Sequence, residues 1–182
     1  MRVRELLTEA RTHSEVQASS KKQLLDQVAQ LAAAGCDSLN EQEVFDALVA
    51  REKLGSTGIG EGIAIPHCRL GHCQQPIGLL LKLSTPIDFD AVDGRPVDLV
   101  FVLLVPQENP EQHLKTLSHL ASLFNDDDYR DELRLSKNIT FITPPWNPKR
   151  SCDWHHEGTQ HAFRHHPGYP LVYQFCVSTC GK

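Results

Sequence analysis

The sequence lacks a long hydrophobic run, a basic leader segment and a dense block of lysine and arginine. No apolar run approaches the about 20 residues that span a bilayer, so we expect no membrane insertion. The missing leader predicts no signal peptide and a cytoplasmic protein. The net charge of −5, without a basic patch, argues against nucleic acid as a partner. With 40% hydrophobic residues, the 182-residue chain can form one domain with a sizeable core.

The glycine-rich stretch GSTGIGEGIAIPHCRL, residues 55–70, lacks the marks of a nucleotide-binding loop. A Walker loop needs Gly-Lys-Ser or Gly-Lys-Thr, which is absent. Gly58, Gly60 and Gly62 imitate part of a dinucleotide fingerprint, which requires a strand before it and a helix after it. Here a predicted helix precedes and a predicted strand follows. Both nucleotide hypotheses are therefore excluded, and we expect no cofactor.

Hydrophobic periodicity predicts helices interleaved with strands, the pattern of an α/β protein with a mixed β-sheet flanked by helices. The predicted elements are a strand at 13–18, helices at 19–35 and 40–52, a strand through Ile59, Ile63 and Ile65, strands at 76–87 and 96–106, and helices at 109–124 and 126–135. In the third helix, Leu114, Leu117, Ala121 and Phe124 are predicted to share the buried face.

The composition changes near residue 137. Residues 138–182 are rich in histidine, cysteine, tryptophan and proline, and no helical or strand period runs through most of them. We therefore predict a single domain at 1–137 and a tail at 138–182 that does not fold as a domain.

Two groups of soft ligands suggest a zinc-binding module as an alternative function. His67, Cys68, His72 and Cys73 lie close together, but structural zinc sites usually draw their ligands from two separated segments. The tail offers a second set that lacks a regular repeat: Cys152, His155, His156, His161, His165 and His166. We expect reduced thiols in a protein without an export signal, and we assign no metal site.

His67 itself allows two interpretations. The plain one is a surface histidine at a strand end, shaped by neighbouring glycines. The functional one is a nucleophile toward an anion, because glycine-rich backbone exposes N–H groups and Arg51 adds charge.

The segment REKLGSTGIGEGIAIPH resembles the active-site segment of enzyme IIA components of the bacterial phosphotransferase system, in the fructose–mannitol–nitrogen class. TPIDFDAVDGRPVDLVFVLLVP and QHLKTLSHLASLF are similar to the next two blocks of that family, in the same order. The resemblance runs from about residue 3 to 135 and is closest to the nitrogen-regulatory branch. It implies the sandwich fold of that family.

The resemblance implies a role for each of five residues. His67 would accept a phosphoryl group, attached at Nε2, from an HPr-like phosphocarrier, leaving Nδ1–H free to bond a backbone carbonyl. His113 would contact the phosphoryl group, and Arg51 would neutralise its charge. Thr57 and Ser56 would bind the phosphate through their hydroxyls.

The implied function is a phosphoryl-carrying regulatory protein, with targets such as potassium transport or sensor proteins. The alternative within the family is a sugar-specific component that passes phosphate to a IIB domain for fructose or mannitol uptake. His72 and His119 match no motif position and are expected to be structural.

The chain departs from the family pattern twice. Cys68 stands where the family has glycine, which would cost about 1 kcal/mol if the backbone there has a positive φ. The family also ends with an acidic, leucine-rich helix where the tail begins. We therefore predict that 138–182 is disordered or derives from a reading-frame shift, so that one base inserted or deleted near codon 137 restores an amphipathic helix.

Overall fold

A computed structural model describes residues 6–108, 110–136 and 139, with the backbone alone for 110–112. The elements in chain order are a 3-10 turn at Glu9–Arg11, β1 (Thr12–Val16), α1 (Lys21–Ala34), α2 (Glu41–Lys53), β2 (Gly58–Gly60), β3 (Ile63–Ala64), β4 (His67–Leu70), β5 (Ile77–Ile87), β6 (Val97–Pro106), α3 (Pro110–Phe124) and α4 (Asp127–Leu135). All four predicted helices are present, and the predicted strands at 13–18, 76–87 and 96–106 correspond to β1, β5 and β6.

Side-chain caps set the beginnings of three helices. The Ser20 hydroxyl accepts a hydrogen bond from the Gln23 amide at the start of α1. Asn40 caps α2 in the same way, and Asp126 caps α4. Each cap satisfies an N–H that the first helical turn leaves unpaired, so these starts are encoded locally.

The sheet is mixed, as predicted. Its strand order is β1-β5-β6-β3-β2, and β4 also pairs with β6. The central pair β5 and β6 is antiparallel, and so are β2 and β3, whereas β1 runs parallel to β5 and both β3 and β4 run parallel to β6. β3 pairs with the beginning of β6 and β4 with its end, so these two short strands follow one another along the same strand.

Hydrophobic clusters cover both faces of the sheet, which explains why β5 and β6 are almost continuously apolar. The first cluster joins the α1–α2 layer to one face and includes Leu24, Val28, Val44, Leu48, Cys68, Leu79, Leu81, Val100, Val102 and Leu104. The second cluster joins the α3–α4 layer to the other face and includes Leu6, Ile63, Leu80, Phe101, Leu103, Leu120, Phe124, Tyr129, Leu133 and Ile139.

The predicted buried face of α3 is wrong in part. Leu114 is 64% exposed and Ala121 is also exposed, while Phe124 is buried. The face turned inward carries His113, Thr116 and Leu120. Leu120 and Leu123 are apolar as well as the four predicted residues, so periodicity within α3 did not determine which side packs on the sheet.

The glycine-rich stretch forms three short strands instead of the one predicted. Glu61 and Gly62 have φ values of 54° and 78°, and this left-handed turn separates β2 from β3. Ile59 is consequently 40% exposed, whereas Ile63 and Ile65 are buried. His67 begins β4 rather than ending a strand.

Cys68 takes its place in β4 without the strain that a positive φ would bring. It is not among the residues with positive φ, it pairs with Leu104 of β6, and it is buried in the first cluster. The predicted backbone cost at this position therefore does not arise.

The predicted tail at 138–182 lies outside the described residues, apart from the buried Ile139. Its boundary and its origin stay predictions. Within the part of the chain that the structure describes, no helix has both the length and the apolar character needed to cross a membrane.

Candidate functional site

His67 lies where three elements meet. As the first residue of β4 it pairs with Leu103 of β6, and side chains at paired positions share a face. This is the face of the second cluster, which α3 covers. The carboxyl end of α2 reaches His67 from the other layer through Arg51. The partly buried imidazole is therefore held by a strand and approached by two helices.

Hydrogen bonds at both ring nitrogens select one tautomer of His67. Nδ1 lies 2.8 Å from the carbonyl oxygen of Ile65, which can only accept, so Nδ1 carries the proton. The Arg51 Nε–H donates to Nε2 over 3.0 Å, so Nε2 offers its lone pair. Burial, with help from Arg51 and Arg69, lowers the pKa of His67, although the Ile65 carbonyl opposes the shift. At neutral pH His67 is thus mainly uncharged, with an unprotonated Nε2 whose lone pair accepts the hydrogen bond from Arg51.

His113 of α3 is the second histidine of the site. Its ring centroid lies 5.4 Å from that of His67, in an edge-to-face arrangement. The side chain is 8% exposed, and neither ring nitrogen has a hydrogen-bond partner among the described residues. Unpaired buried donors and acceptors are costly, and sites that bind an anion are one place where they are retained. His113 can therefore offer an N–H to a group that arrives beside His67.

Burial lowers the pKa of His113 to about 4, and the nearby His67, Arg69 and Arg51 contribute to the decrease. We expect the NMR shift of its Cε1–H to stay constant from pH 8 to pH 5. Because the unfolded chain binds this proton near pH 6.5, the pKa difference stabilises the fold above about pH 6.5. This stabilisation is lost as the pH falls toward 4. A thermal denaturation series gives the second readout, and titration of His113 near pH 6.5 would contradict the prediction.

The structure brings Arg51 to His67 but directs the hydroxyls of Ser56 and Thr57 to protein acceptors. Arg51 also donates through Nη1 to the carbonyl of Gly55 over 3.0 Å. Ser56 donates to the carbonyl of Phe89 over 2.8 Å. The Thr57 hydroxyl donates to a carboxylate oxygen of Glu52 over 2.6 Å. The predicted phosphate contacts of Ser56 and Thr57 stay predictions.

The sequence reasoning missed two charged residues near the site. Arg69 stands two positions after His67 on β4, so alternation places both on one face, and its charge lowers the pKa of both histidines. The strand period was the signal for Arg69. Glu52 follows Arg51 and binds both Thr57 and Lys21. No sequence pattern indicated these contacts of Glu52.

The predicted zinc alternative finds no support. His72 is exposed, whereas Cys68 and Cys73 are buried in the first cluster, on the face of the sheet opposite to His67. Among residues 6–108 and 110–136, no three His, Cys, Asp or Glu side chains are grouped so that they could hold a metal ion. The ligand set in the tail lies outside the described residues.

Known proteins similar to this chain in sequence and in fold include nitrogen regulatory proteins. A nitrogen regulatory protein of Pseudomonas aeruginosa is 52% identical over 134 residues, which cover 74% of this chain and 87% of that protein. The crystal structure of the nitrogen regulatory protein IIA-Ntr from Neisseria meningitidis superposes with a TM-score of 0.72 at 39% identity, covering 75% of this chain and 93% of that one.

A more distant structure shares the fold alone. IIA mannitol from Escherichia coli has a TM-score of 0.62 at 18% identity, covering 73% of this chain and 93% of that one.

The family model described as "Phosphoenolpyruvate-dependent sugar phosphotransferase system, EIIA 2" matches residues 5–143. The resemblance noted in the sequence is confirmed, and the chain belongs to the EIIA type 2 family of the phosphoenolpyruvate-dependent sugar phosphotransferase system, with nitrogen regulatory proteins among its relatives.

Proposed function

We propose that this protein carries a phosphoryl group on His67 Nε2, received from an HPr-like phosphocarrier, and that it regulates target proteins according to its phosphorylation state. The observation that carries the proposal is the pair of hydrogen bonds at the two ring nitrogens of His67. Its proton is held on Nδ1 by Ile65, so the lone pair at Nε2 is available as a nucleophile. A histidine with the opposite tautomer would present N–H at that position and could not attack.

The transfer step follows from these contacts. The Nε2 lone pair forms a new N–P bond while the N–P bond of the donor histidine breaks, and the bonding pair returns to the donor's nitrogen. Nδ1 keeps its proton, and the Ile65 carbonyl stabilises the positive charge that develops on the His67 ring. Arg51 must release Nε2 as the new bond forms, and its N–H groups can then meet phosphoryl oxygens.

His113 is proposed to contact the same phosphoryl group. It is neutral at pH 7 because burial depresses its pKa, so one ring nitrogen is protonated and can donate. The charge of phosphoryl transfer is spread over three equatorial oxygens, which need donors from more than one direction. Arg51 comes from α2 and His113 from α3, on two sides of His67.

A reconstituted relay tests the proposal. The protein is incubated with radiolabelled phosphoenolpyruvate, the first enzyme of the system and an HPr-type phosphocarrier. We expect one phosphate per chain, labile in acid and stable in alkali, as a phosphoramidate should be. No label when the carrier itself is phosphorylated, or an acid-stable label, would overturn the proposed function.

Arg51→Lys is expected to lower the rate of phosphate acceptance about a hundredfold. Arg51 binds His67 and Gly55 at the same time through separate nitrogens, whereas a lysine ammonium is a single point charge. The measurement is the initial labelling rate in the relay. Arg95→Lys is the matched control, because Arg95 is exposed and its ion pairs are with Glu61 and Asp93. Equal rates for both variants would remove Arg51 from the proposed machinery.

Regulation rather than sugar uptake is favoured by the 52% identity to a nitrogen regulatory protein. Potassium transport or sensor proteins are proposed as the targets, and the cytoplasm, where phosphoenolpyruvate is made, as the compartment. The sugar alternative predicts rapid transfer from the phosphorylated protein to an isolated IIB domain of the fructose or mannitol type. A labelled protein that keeps its phosphate when mixed with such domains supports the regulatory function.

A further inference from the structure

The carboxylate of Glu52 is the centre of a small buried network beside the site. The Glu52 side chain is 8% exposed, and it accepts hydrogen bonds from the Thr57 amide, the Thr57 hydroxyl and the Lys21 ammonium. The Thr57 amide approaches its two oxygens at 3.2 and 3.1 Å, and the Thr57 hydroxyl lies 2.6 Å away. Lys21, at the start of α1, donates to it over 2.9 Å. A buried carboxylate whose two oxygens both accept hydrogen bonds holds the donor groups around it in place.

This network continues to His67 through the main chain. The carbonyl of Thr57 accepts a hydrogen bond from the Ile65 amide over 2.9 Å. The carbonyl of Ile65 in turn accepts the Nδ1–H of His67 over 2.8 Å. Glu52 is therefore linked to His67 by hydrogen bonds that alternate with the covalent main chain of Thr57 and Ile65.

The neighbouring residue holds the other side of the ring. Arg51 binds the carbonyl of Gly55 and the Nε2 of His67, while Glu52 binds Thr57. Arg51 and Glu52, at the end of α2, thus hold the bend at 55–57 by hydrogen bonds to Gly55 and Thr57. A shift of this bend would move both groups that select the tautomer of His67.

We propose that Glu52 is a positioning residue that, through Thr57 and Ile65, holds His67 in the Nδ1–H tautomer and so keeps the Nε2 lone pair available. Its hydrogen bonds are to Thr57 and Lys21, so it acts on the ring through other residues. The effect on rate rests on the proposed function, whereas the effect on the tautomer does not.

Glu52→Gln is the sharpest variant because glutamine keeps the size of the side chain. The Thr57 amide and the Lys21 ammonium can only donate, so the amide nitrogen of glutamine would face a donor in either orientation. We expect ¹⁵N NMR of the unphosphorylated variant to show His67 as a mixture of tautomers, against a single Nδ1–H form in the wild type. The labelling rate at saturating phosphocarrier should fall about tenfold, since small misplacements of a reacting group are costly. KM for the phosphocarrier should stay within about twofold of the wild type.

Controls separate this role from general damage to the fold. Glu41→Gln removes the same charge from an exposed position of the same helix and should leave tautomer and rate unchanged. Thr57→Val removes the hydroxyl donor and should change both readouts in the direction of Glu52→Gln, while Thr57→Ser should restore them. If Glu52→Gln does not fold, the comparison of Thr57→Val with Thr57→Ser tests the inference.

A wild-type tautomer in folded Glu52→Gln, or in Thr57→Val, overturns the inference. If the wild type takes no phosphate at all, the proposed function fails, but the tautomer measurements still decide the role of Glu52.

Discussion

His67→Ala is expected to take no phosphate in the reconstituted relay, where the wild type takes one per chain. The substitution removes the Nε2 lone pair that is proposed to attack the phosphoryl group. Arg51 and Ile65 then face an empty position, because alanine has no ring nitrogen for either to bind. We expect the labelling rate to fall by at least about a thousandfold, the loss typical when a nucleophile is deleted.

His119→Ala is the matched control for this prediction. His119 lies on α3 like His113 but is exposed, whereas His113 is buried beside His67. It should label at the wild-type rate. Circular dichroism should show both variants folded, since His67 is only partly buried at the start of β4. Full labelling of His67→Ala would overturn the assignment of the nucleophile.

Gly62→Ala is expected to lower the free energy of unfolding by about 3 kcal/mol, the largest stability effect that we predict. A Cβ on Gly62 would lie 2.5 Å from Arg134 Nη2 and 2.7 Å from Asp98 Oδ1. These two atoms are not free to move, because Arg134 binds Asp98 through two nitrogens and also donates to the Glu61 carbonyl. The positive φ of 78° adds strain for any residue with a Cβ.

Gly94→Ala separates the two causes. Gly94 has a similar φ of 69°, but a Cβ there would meet nothing within 4 Å. This variant should therefore lose only the backbone part, about 1 kcal/mol. Urea denaturation gives both values. Equal losses of unfolding free energy in the two variants would mean that the close approach of the added Cβ to Arg134 and Asp98 costs nothing.

Local sequence determined the parts of the fold that depend on near neighbours in the chain. The caps at Ser20 and Asn40 act within three residues, and they lie at the predicted helix starts. The apolar runs that predicted β5 and β6 needed no partner to be recognised, although their register did. The glycine-rich segment before His67 was recognisable because it resembles that of a family, and the match over residues 5–143 confirms the family.

The break between β2 and β3 could not be read from the sequence. Glycine permits the turn at Gly62, but Glu61 also takes a positive φ, which a side chain ordinarily opposes. Its amide donates to Asp93 over 2.8 Å and its carbonyl accepts from Arg134, residues far away in the chain. Alternating isoleucines therefore predicted a continuous strand where these long-range hydrogen bonds hold a turn between β2 and β3.

The candidate site divides in the same way. The sequence by itself determined that this chain has the glycine-rich segment of the EIIA type 2 family, which ends at the candidate nucleophile His67. Only the tertiary structure decided that His113 rather than Leu114 faces inward, that Arg51 meets Nε2 and that Glu52 holds Thr57. The physical reason is range: caps and periodicity act within one or two turns of the chain, whereas the surroundings of His67 are assembled from α2, β4 and α3, whose packing no single segment specifies.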